Sequence, residues 1–302
     1  MDGPGYLAEH EDRIAWIMGS SRSGSTWLGK MLASLPGGVC IDDPHLGHHL
    51  GTWRPISIAW ATAADRPDLT TLRTLKRDWE DYFFSDRYRD AWMPALRDLV
   101  RARFGTQLAD EADSDEPRLF IKEPGSQSAE LIFETFPDSR LIFLLRDGRD
   151  VVESWLDAYD EGSWAIEGGA FAVAEEGRLP LIRWLSTVWT FRTEVVTRVY
   201  ERLAPTARVM VRYENVLENP VGELGRICNL VGLECENLAD VADRHRFSRI
   251  DPRERGSGHA ARAASPGGWR DSMTAREQRA MHDIMGPMLA RLGYPWSQAR
   301  AA

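Results

Sequence analysis

The chain has 302 residues, 43% of them hydrophobic and 27% charged, the balance of a globular protein long enough to bury a substantial core. Its net charge of −9 argues against nucleic acid as a partner, because phosphate backbones require a basic face, but leaves room for a polyanionic ligand where arginines converge. There is no charged-then-apolar leader pattern and no run near the roughly 18 apolar residues of a membrane span, so a cytoplasmic protein without a span is expected. The cysteines Cys40, Cys228 and Cys235 lack metal-ligand spacing, and the first two read as core thiols in a reducing compartment.

Residues 1–12 are polar and predict a loose end. Residues 14–18 form an apolar β-type run that feeds a loop of small residues, Gly19-Ser20-Ser21-Arg22-Ser23-Gly24-Ser25-Thr26. A helix follows, with Trp27, Leu28, Met31, Leu32 and Leu35 near helical spacing on one face. Strand, small-residue loop and helix together form a phosphate cradle: glycine lets the backbone approach, N–H groups point inward, and the helix start adds positive potential. Nucleotide-hydrolysing loops place a lysine directly after the second glycine. Here Ser25 holds that place, and the cation is Arg22, two residues before Gly24. A single phosphate at that point fits better than the β- and γ-phosphates of ATP or GTP. A nucleotide kinase or NTPase on the same loop architecture is the alternative.

Gly37-Gly38 turns the chain into a second short strand, 39–41, ending at Asp42-Asp43-Pro44-His45. Carboxylates at a strand end beside a phosphate loop are placed for a general base, and a solvated Asp/Pro turn is the competing reading. Residues 47–104 are rich in aromatics (Trp53, Trp60, Trp79, Tyr82, Phe83, Phe84, Tyr88, Trp92) and mainly helical in their later part. Most of these rings read as core and the rest as the lining of an acceptor cleft. The acidic stretch 109–117 reads as an exposed loop.

A third strand, 119–121, ends at Lys122-Glu123-Pro124-Gly125, and a fourth, 141–145, runs into Arg146-Asp147-Gly148-Arg149-Asp150. Residues 155–179 hold four glycines among acidic and aromatic residues, the composition of a lid or of a plain surface loop. A long helix is expected over 181–203, with Ile182, Leu185, Val188, Trp189 and Val196 at core spacing, then a fifth strand at 209–211. Asn219 and Pro220 open a further helix that Gly232 closes. The stretch 251–268 carries Arg253, Arg255 and Arg262. Thr274 and Glu277 form a capping box for the last helix, with a bend expected at Gly286-Pro287. Five strands alternating with helices predict one α/β domain over 1–302, core about 14–294. Its parallel sheet is P-loop-like and flanked by helices, with helical insertions and the site at the strands' carboxyl ends.

Arg22-Ser23-Gly24-Ser25-Thr26-Trp27, and Arg146 with Ser154 eight positions on, resemble in order and spacing the sulfotransferases that use 3′-phosphoadenosine 5′-phosphosulfate (PAPS). Tyr213-Glu214-Asn215 at the end of the fifth strand resembles the same family's adenine-contacting segment. The resemblance implies sulfuryl transfer from PAPS, leaving PAP and needing no metal, to a hydroxyl or amine of a small-molecule, carbohydrate or lipid acceptor. It implies that Arg22, Ser23, Gly24, Ser25 and Thr26 hold the 5′-phosphosulfate, Arg146 and Ser154 the 3′-phosphate, and Trp27 and Tyr213 the adenine. Arg255-Gly256 and Gly268-Trp269 resemble the two ends of the family's closing segment, with a longer stretch between them. Asp43-Pro44 matches members that use an acidic residue before proline as the base, with Asp42 and His45 as rivals. Lys122 aligns with a lysine that aids transfer. Pro124 falls where the small-molecule branch has its catalytic histidine, so Glu123 becomes the second candidate base. A non-catalytic PAP-binding protein is the remaining alternative.

Overall fold

The computed structural model describes residues 1–49, 80–81, 84–123, 125–159, 162–163, 167, 177–254, 265–294 and 296. Five strands, β1 (Ile14–Gly19), β2 (Gly38–Asp42), β3 (Arg118–Lys122), β4 (Arg140–Leu145) and β5 (Arg208–Arg212), form one parallel sheet in the order β2-β3-β1-β4-β5. β1 and β3 are buried along their whole length, whereas the edge strands β2 and β5 alternate. That difference explains why the central strands read as continuous apolar runs.

The longer helices among the described residues are α1 (Gly3–Glu9), α2 (Ser25–Ala33), α3 (Arg89–Glu111), α4 (Ala129–Thr135), α5 (Gly148–Tyr159), α6 (Arg178–Arg202), α7 (Tyr213–Glu218), α8 (Pro220–Val231), α9 (Leu238–Arg244) and α10 (Ala275–Arg291). Successive strand residues face opposite layers. Trp16, Met18, Leu119, Ile121, Leu141 and Phe143 join a core with α3, α4, α5, α6 and α10. Ala15, Ile17, Phe120, Ile142 and Leu144 join a second core with α2, α8 and α9. The register sets Ile17 beside Lys122, Lys122 beside Asp42, and Gly19 beside Leu144, so the three central strands and β2 end together on one rim.

The N-terminal stretch is not loose. Asp2 caps α1, Leu7 is 1% exposed, and Glu11 accepts from Arg101 at 2.8 Å and from the Asp138 N–H at 2.9 Å. Leu7, the buried Glu11 carboxylate, the close approach of Gly3 to Gly105 and the Tyr6 hydroxyl on the Pro117 carbonyl at 3.0 Å together dock a segment whose composition is polar. The helix α3 also runs to Glu111, so the acidic loop begins three residues later than its composition suggests. α10 continues through Pro287 to Arg291 as one element, and both halves of its capping box are made. Asn219 and Gly232 bound α8 as expected. Phe84 packs on Trp92 at 5.3 Å, while Tyr88 is exposed. Trp53, Trp60, Trp79, Tyr82, Phe83, Pro124, Arg255, Gly256, Arg262 and most of 160–176 lie outside the described residues. Among the described residues no helix is long and apolar enough to cross a membrane.

Candidate active site

Two sequence motifs converge on the rim where β1 and β4 end. β1 stops at Gly19, whose N–H donates to Ser126 Oγ at 3.1 Å, and α2 starts at Ser25 behind a left-handed Gly24 (φ +86°). The first-turn N–H groups of a helix have no intrahelical acceptor, so the start of α2 offers donors to an anion held by the loop. Ser20 and Ser23 are buried, and neither Oγ has a partner among the described residues. The non-glycine residues with positive φ among those described are Arg22, Asp43 and His45. Such backbone costs on the order of 1–3 kcal/mol per residue and clusters at functional sites.

Arg146, at the end of β4, is 6% exposed, and its Nη1 donates to the Arg22 carbonyl at 2.9 Å. In turn Arg22 Nε donates to Ser154 Oγ, on α5, at 3.1 Å. The Arg146 guanidinium also lies 4.4 Å over the Tyr213 ring. A Cβ at Gly24 would sit 2.6 Å from that same ring, so the loop can pass Tyr213 only as glycine. Trp27 meets Tyr213 edge-on at 6.0 Å and donates its Nε1–H to the His245 carbonyl at 2.6 Å. Arg22, Gly24, Trp27, Arg146, Ser154 and Tyr213 are thus brought into one network. Arg146 forms no ion pair among the described residues, and its Nε is buried without an acceptor there. The neighbouring Arg149 is different: it is 1% exposed but bound through two nitrogens to Asp147, at 2.8 and 2.7 Å, with Trp269 beneath it at 4.3 Å.

A second constellation sits at the ends of β2 and β3. Lys122 Nζ donates to Thr26 Oγ1 at 2.6 Å and to Asp43 Oδ2 at 2.8 Å, and pairs with Asp42 Oδ1 at 2.6 Å. The lysine therefore ties the first turn of α2 to both carboxylates. Asp43 Oδ1 is buried with no donor among the described residues. Glu123 is almost fully buried and accepts from the backbone N–H groups of Gly125 and Leu46. Burial pushes its carboxyl up to about 7, against the lowering effect of the Gly125, Leu46 and Gly47 N–H groups. With both oxygens occupied by backbone, Glu123 clamps the helical turn Leu46–His49 to the end of β3. A narrow cleft lies between these groups, lined by Gly19, Ser20, Ser21, Ser25, Lys122 and Glu123. A larger surface cleft of about 380 Å³ lies beside Glu11, Arg97, Arg101 and Arg140, at the opposite end of β4, and holds none of the motif residues.

In the closing segment, Arg253 is exposed and paired with Asp251 at 2.7 Å. The Gly267 N–H donates to Asp150 at 2.8 Å, and Trp269 is fully buried, so the Gly268-Trp269 end is anchored on α5. Burial raises the Asp150 carboxyl to about 6. The sequence reading missed Ser126, Gln127 and Arg192. Arg192 Nη1 donates to Ser21 Oγ at 3.1 Å and its Nε to Gln127 Oε1 at 3.2 Å. A signal for it existed: Arg192 stands three residues after Trp189 and four before Val196, a cation on the apolar stripe of α6.

The unpartnered Ser20 and Ser23 hydroxyls and the start of α2 fit an anionic ligand, and comparison with known proteins shows the family and the fold. A family model described as "Sulfotransferase family" matches residues 15–237. No curated protein matches the chain in sequence. Among solved structures, sulfotransferase STF9 from Mycobacterium avium is 14% identical with a TM-score of 0.54, covering 99% of this chain and 82% of that one. Mouse sulfotransferase SULT7A1 complexed with PAP is 11% identical with a TM-score of 0.52, covering 96% and 89%. The sulfotransferase domain of the Synechococcus PCC 7002 olefin synthase is 19% identical with a TM-score of 0.51, covering 94% and 95%. The fold is shared across these chains, and with the family model matching most of its length, this chain belongs to the sulfotransferase family.

Proposed function

We propose that the chain transfers a sulfuryl group from PAPS to a hydroxyl or amine of an acceptor, through a site built on one domain. The observation that carries this reading is the join between the two motifs. Arg146 bonds the Arg22 carbonyl and Arg22 bonds Ser154, so two anion grips share one wall. Support comes also from the orphaned donors at Ser20, Ser23 and Arg146, and from the PAP complex of mouse SULT7A1.

The 5′-phosphosulfate would lie against Arg22, Ser23, Gly24, Ser25 and Thr26, and the 3′-phosphate against Arg146 and Ser154. Trp27 and Tyr213 would border the adenine, and Arg255-Gly256 would complete the 3′ side. When bound, PAPS supplies a sulfuryl group whose bond to the 5′-phosphate oxygen is the one that breaks. Lys122, held on Thr26 at 2.6 Å, and Arg22 place positive charge where negative charge gathers on that oxygen, as oxyanion donors do. Asp43 takes the acceptor's proton. Its Oδ2 is held by Lys122, and its Oδ1 keeps spare acceptor capacity. Glu123 serves this reading as a clamp, since backbone donors occupy its carboxylate.

The test is transfer of radiolabelled sulfate from PAPS to a panel of hydroxyl and amine acceptors, with wild type and Asp43→Asn. Label should move to at least one acceptor in wild type and be strongly reduced in the variant. PAP binding with no transfer to any acceptor would leave a binding protein instead of an enzyme.

A further inference from the structure

Four arginines are buried among the described residues, Arg118 at the start of β3 and Arg146, Arg149 and Arg192 elsewhere, and they differ in how their charge is met. Arg149 has the Asp147 carboxylate, and Arg118 has the carbonyls of Glu116, Val231 and Gly232. Arg146 has a carbonyl and an aromatic face, and belongs to the grip already described. Arg192 is the fourth. It is 8% exposed, projects from the middle of α6, and its hydrogen bonds go to two neutral oxygens, Ser21 Oγ and Gln127 Oε1.

A guanidinium taken out of water without a carboxylate is costly to keep, and desolvation accordingly lowers the Arg192 pKa to about 10. The carboxylate of Glu123 acts on it electrostatically but forms no ion pair with it, being clamped by the Gly125 and Leu46 N–H groups. Packing alone would favour an apolar residue here, because Val188, Trp189 and Val196 continue the same buried stripe. The charge is therefore retained where it meets the loop holding Ser20 to Gly24, whose Ser20 and Ser23 hydroxyls lack partners among the described residues and which runs into the start of α2.

We infer that Arg192 is a further positioning residue of the anion site: through Ser21 it fixes the phosphate loop, and its positive charge is balanced when an anionic cofactor occupies that loop. The inference rests on the PAPS reading above. Apart from cofactor binding, the side chain's two neutral contacts would make it only a tether between α6, the loop and the turn after β3.

The test is calorimetric titration of the full chain with PAP, in wild type and in Arg192→Gln, Arg192→Lys and Ser21→Ala, with circular dichroism to establish that each variant folds. Arg192→Gln, which keeps an amide donor where Nε bonds Gln127 but loses the charge and the reach to Ser21, should weaken PAP at least tenfold while keeping the wild-type spectrum. Arg192→Lys should recover part of that loss, and Ser21→Ala added to Arg192→Gln should cause little further loss. A folded Arg192→Gln that binds PAP within twofold of wild type would overturn the inference. So would an Arg192→Lys no better than the glutamine variant, since charge would then not be the quantity that matters. If Arg192→Gln does not fold, Arg192→Met replaces it under the same criteria, and Ser21→Ala with unchanged PAP affinity overturns the link through the loop. Wild type that fails to bind PAP at all would refute the functional reading itself, a result distinct from these.

Discussion

Lys122 Nζ lies 2.8 Å from Asp43 Oδ2 and 2.6 Å from Thr26 Oγ1, so one ammonium joins the candidate base to the phosphate loop. The arrangement makes the two functions separable by kinetics. Asp43→Asn keeps the shape and the bond to Lys122 but cannot take a proton. It is expected to lower kcat by about 10²–10⁴, the range of general-base catalysis, with PAP affinity near that of wild type. Lys122→Met should lower kcat by about 10²–10³, the scale of losing one oxyanion donor. Steady-state rates beside PAP titrations check both.

Gly24 offers a test of the loop's backbone. Its φ of +86° is strained for any side chain, and an added Cβ would stand 2.6 Å from the Tyr213 ring that supports Arg146. Gly24→Ala is expected to destabilise the fold by about 1–3 kcal/mol and to weaken PAP binding as Tyr213 is displaced. Chemical denaturation and calorimetry on the same preparation would show the two effects together.

Burial of Glu123 gives a pH signature. Its carboxyl sits at about 7 in the folded protein against an ordinary 4.5. Between those values the folded state holds a proton that the unfolded chain has released, so stability falls as pH rises through the window and levels off above it. The change is at most about 3 kcal/mol. Asp150, raised from 3.8 to about 6, adds a slope of the same sign at lower pH. Glu123→Gln should flatten the fall between pH 6 and pH 7, measured by urea unfolding across the range.

All five strands were legible in the sequence, because each is a short apolar run ended by a charged or small residue at the rim. The 14–18 and 119–121 runs fall inside Ile14–Gly19 and Arg118–Lys122. The caps at Asn219, Gly232 and Thr274 were equally plain, since capping is chemistry between near neighbours. The strand order was not legible, because nothing local says that β3 inserts between β2 and β1 after a long excursion. The docking of residues 1–12 was hidden for a similar reason, resting on Leu7 and Glu11 meeting partners far along the chain. At the site, the motif spacing singled out Arg22, Arg146 and Ser154, and the structure brings these three side by side. Nothing local in the sequence shows that the Glu123 carboxylate accepts from the distant Leu46 N–H as well as from Gly125. Arg192 was passed over because its neighbours on α6 read so clearly as core.

Removing one side of the proposed grip should be selective. Arg146→Ala is expected to cost PAP about 1.5–3 kcal/mol, the worth of hydrogen bonds to a charged group, and to cost AMP less, through the lost support of the Arg22 carbonyl and the Tyr213 ring alone.

The central claim is that Arg22 and Ser23–Thr26 on one side, and Arg146 with Ser154 on the other, hold two separate phosphates of one adenosine. Isothermal titration of the wild-type chain with PAP and with AMP measures this directly. PAP binding at least tenfold tighter than AMP, with the preference lost in Arg146→Ala, is the predicted result. Equal affinity for the two nucleotides in wild type would contradict it.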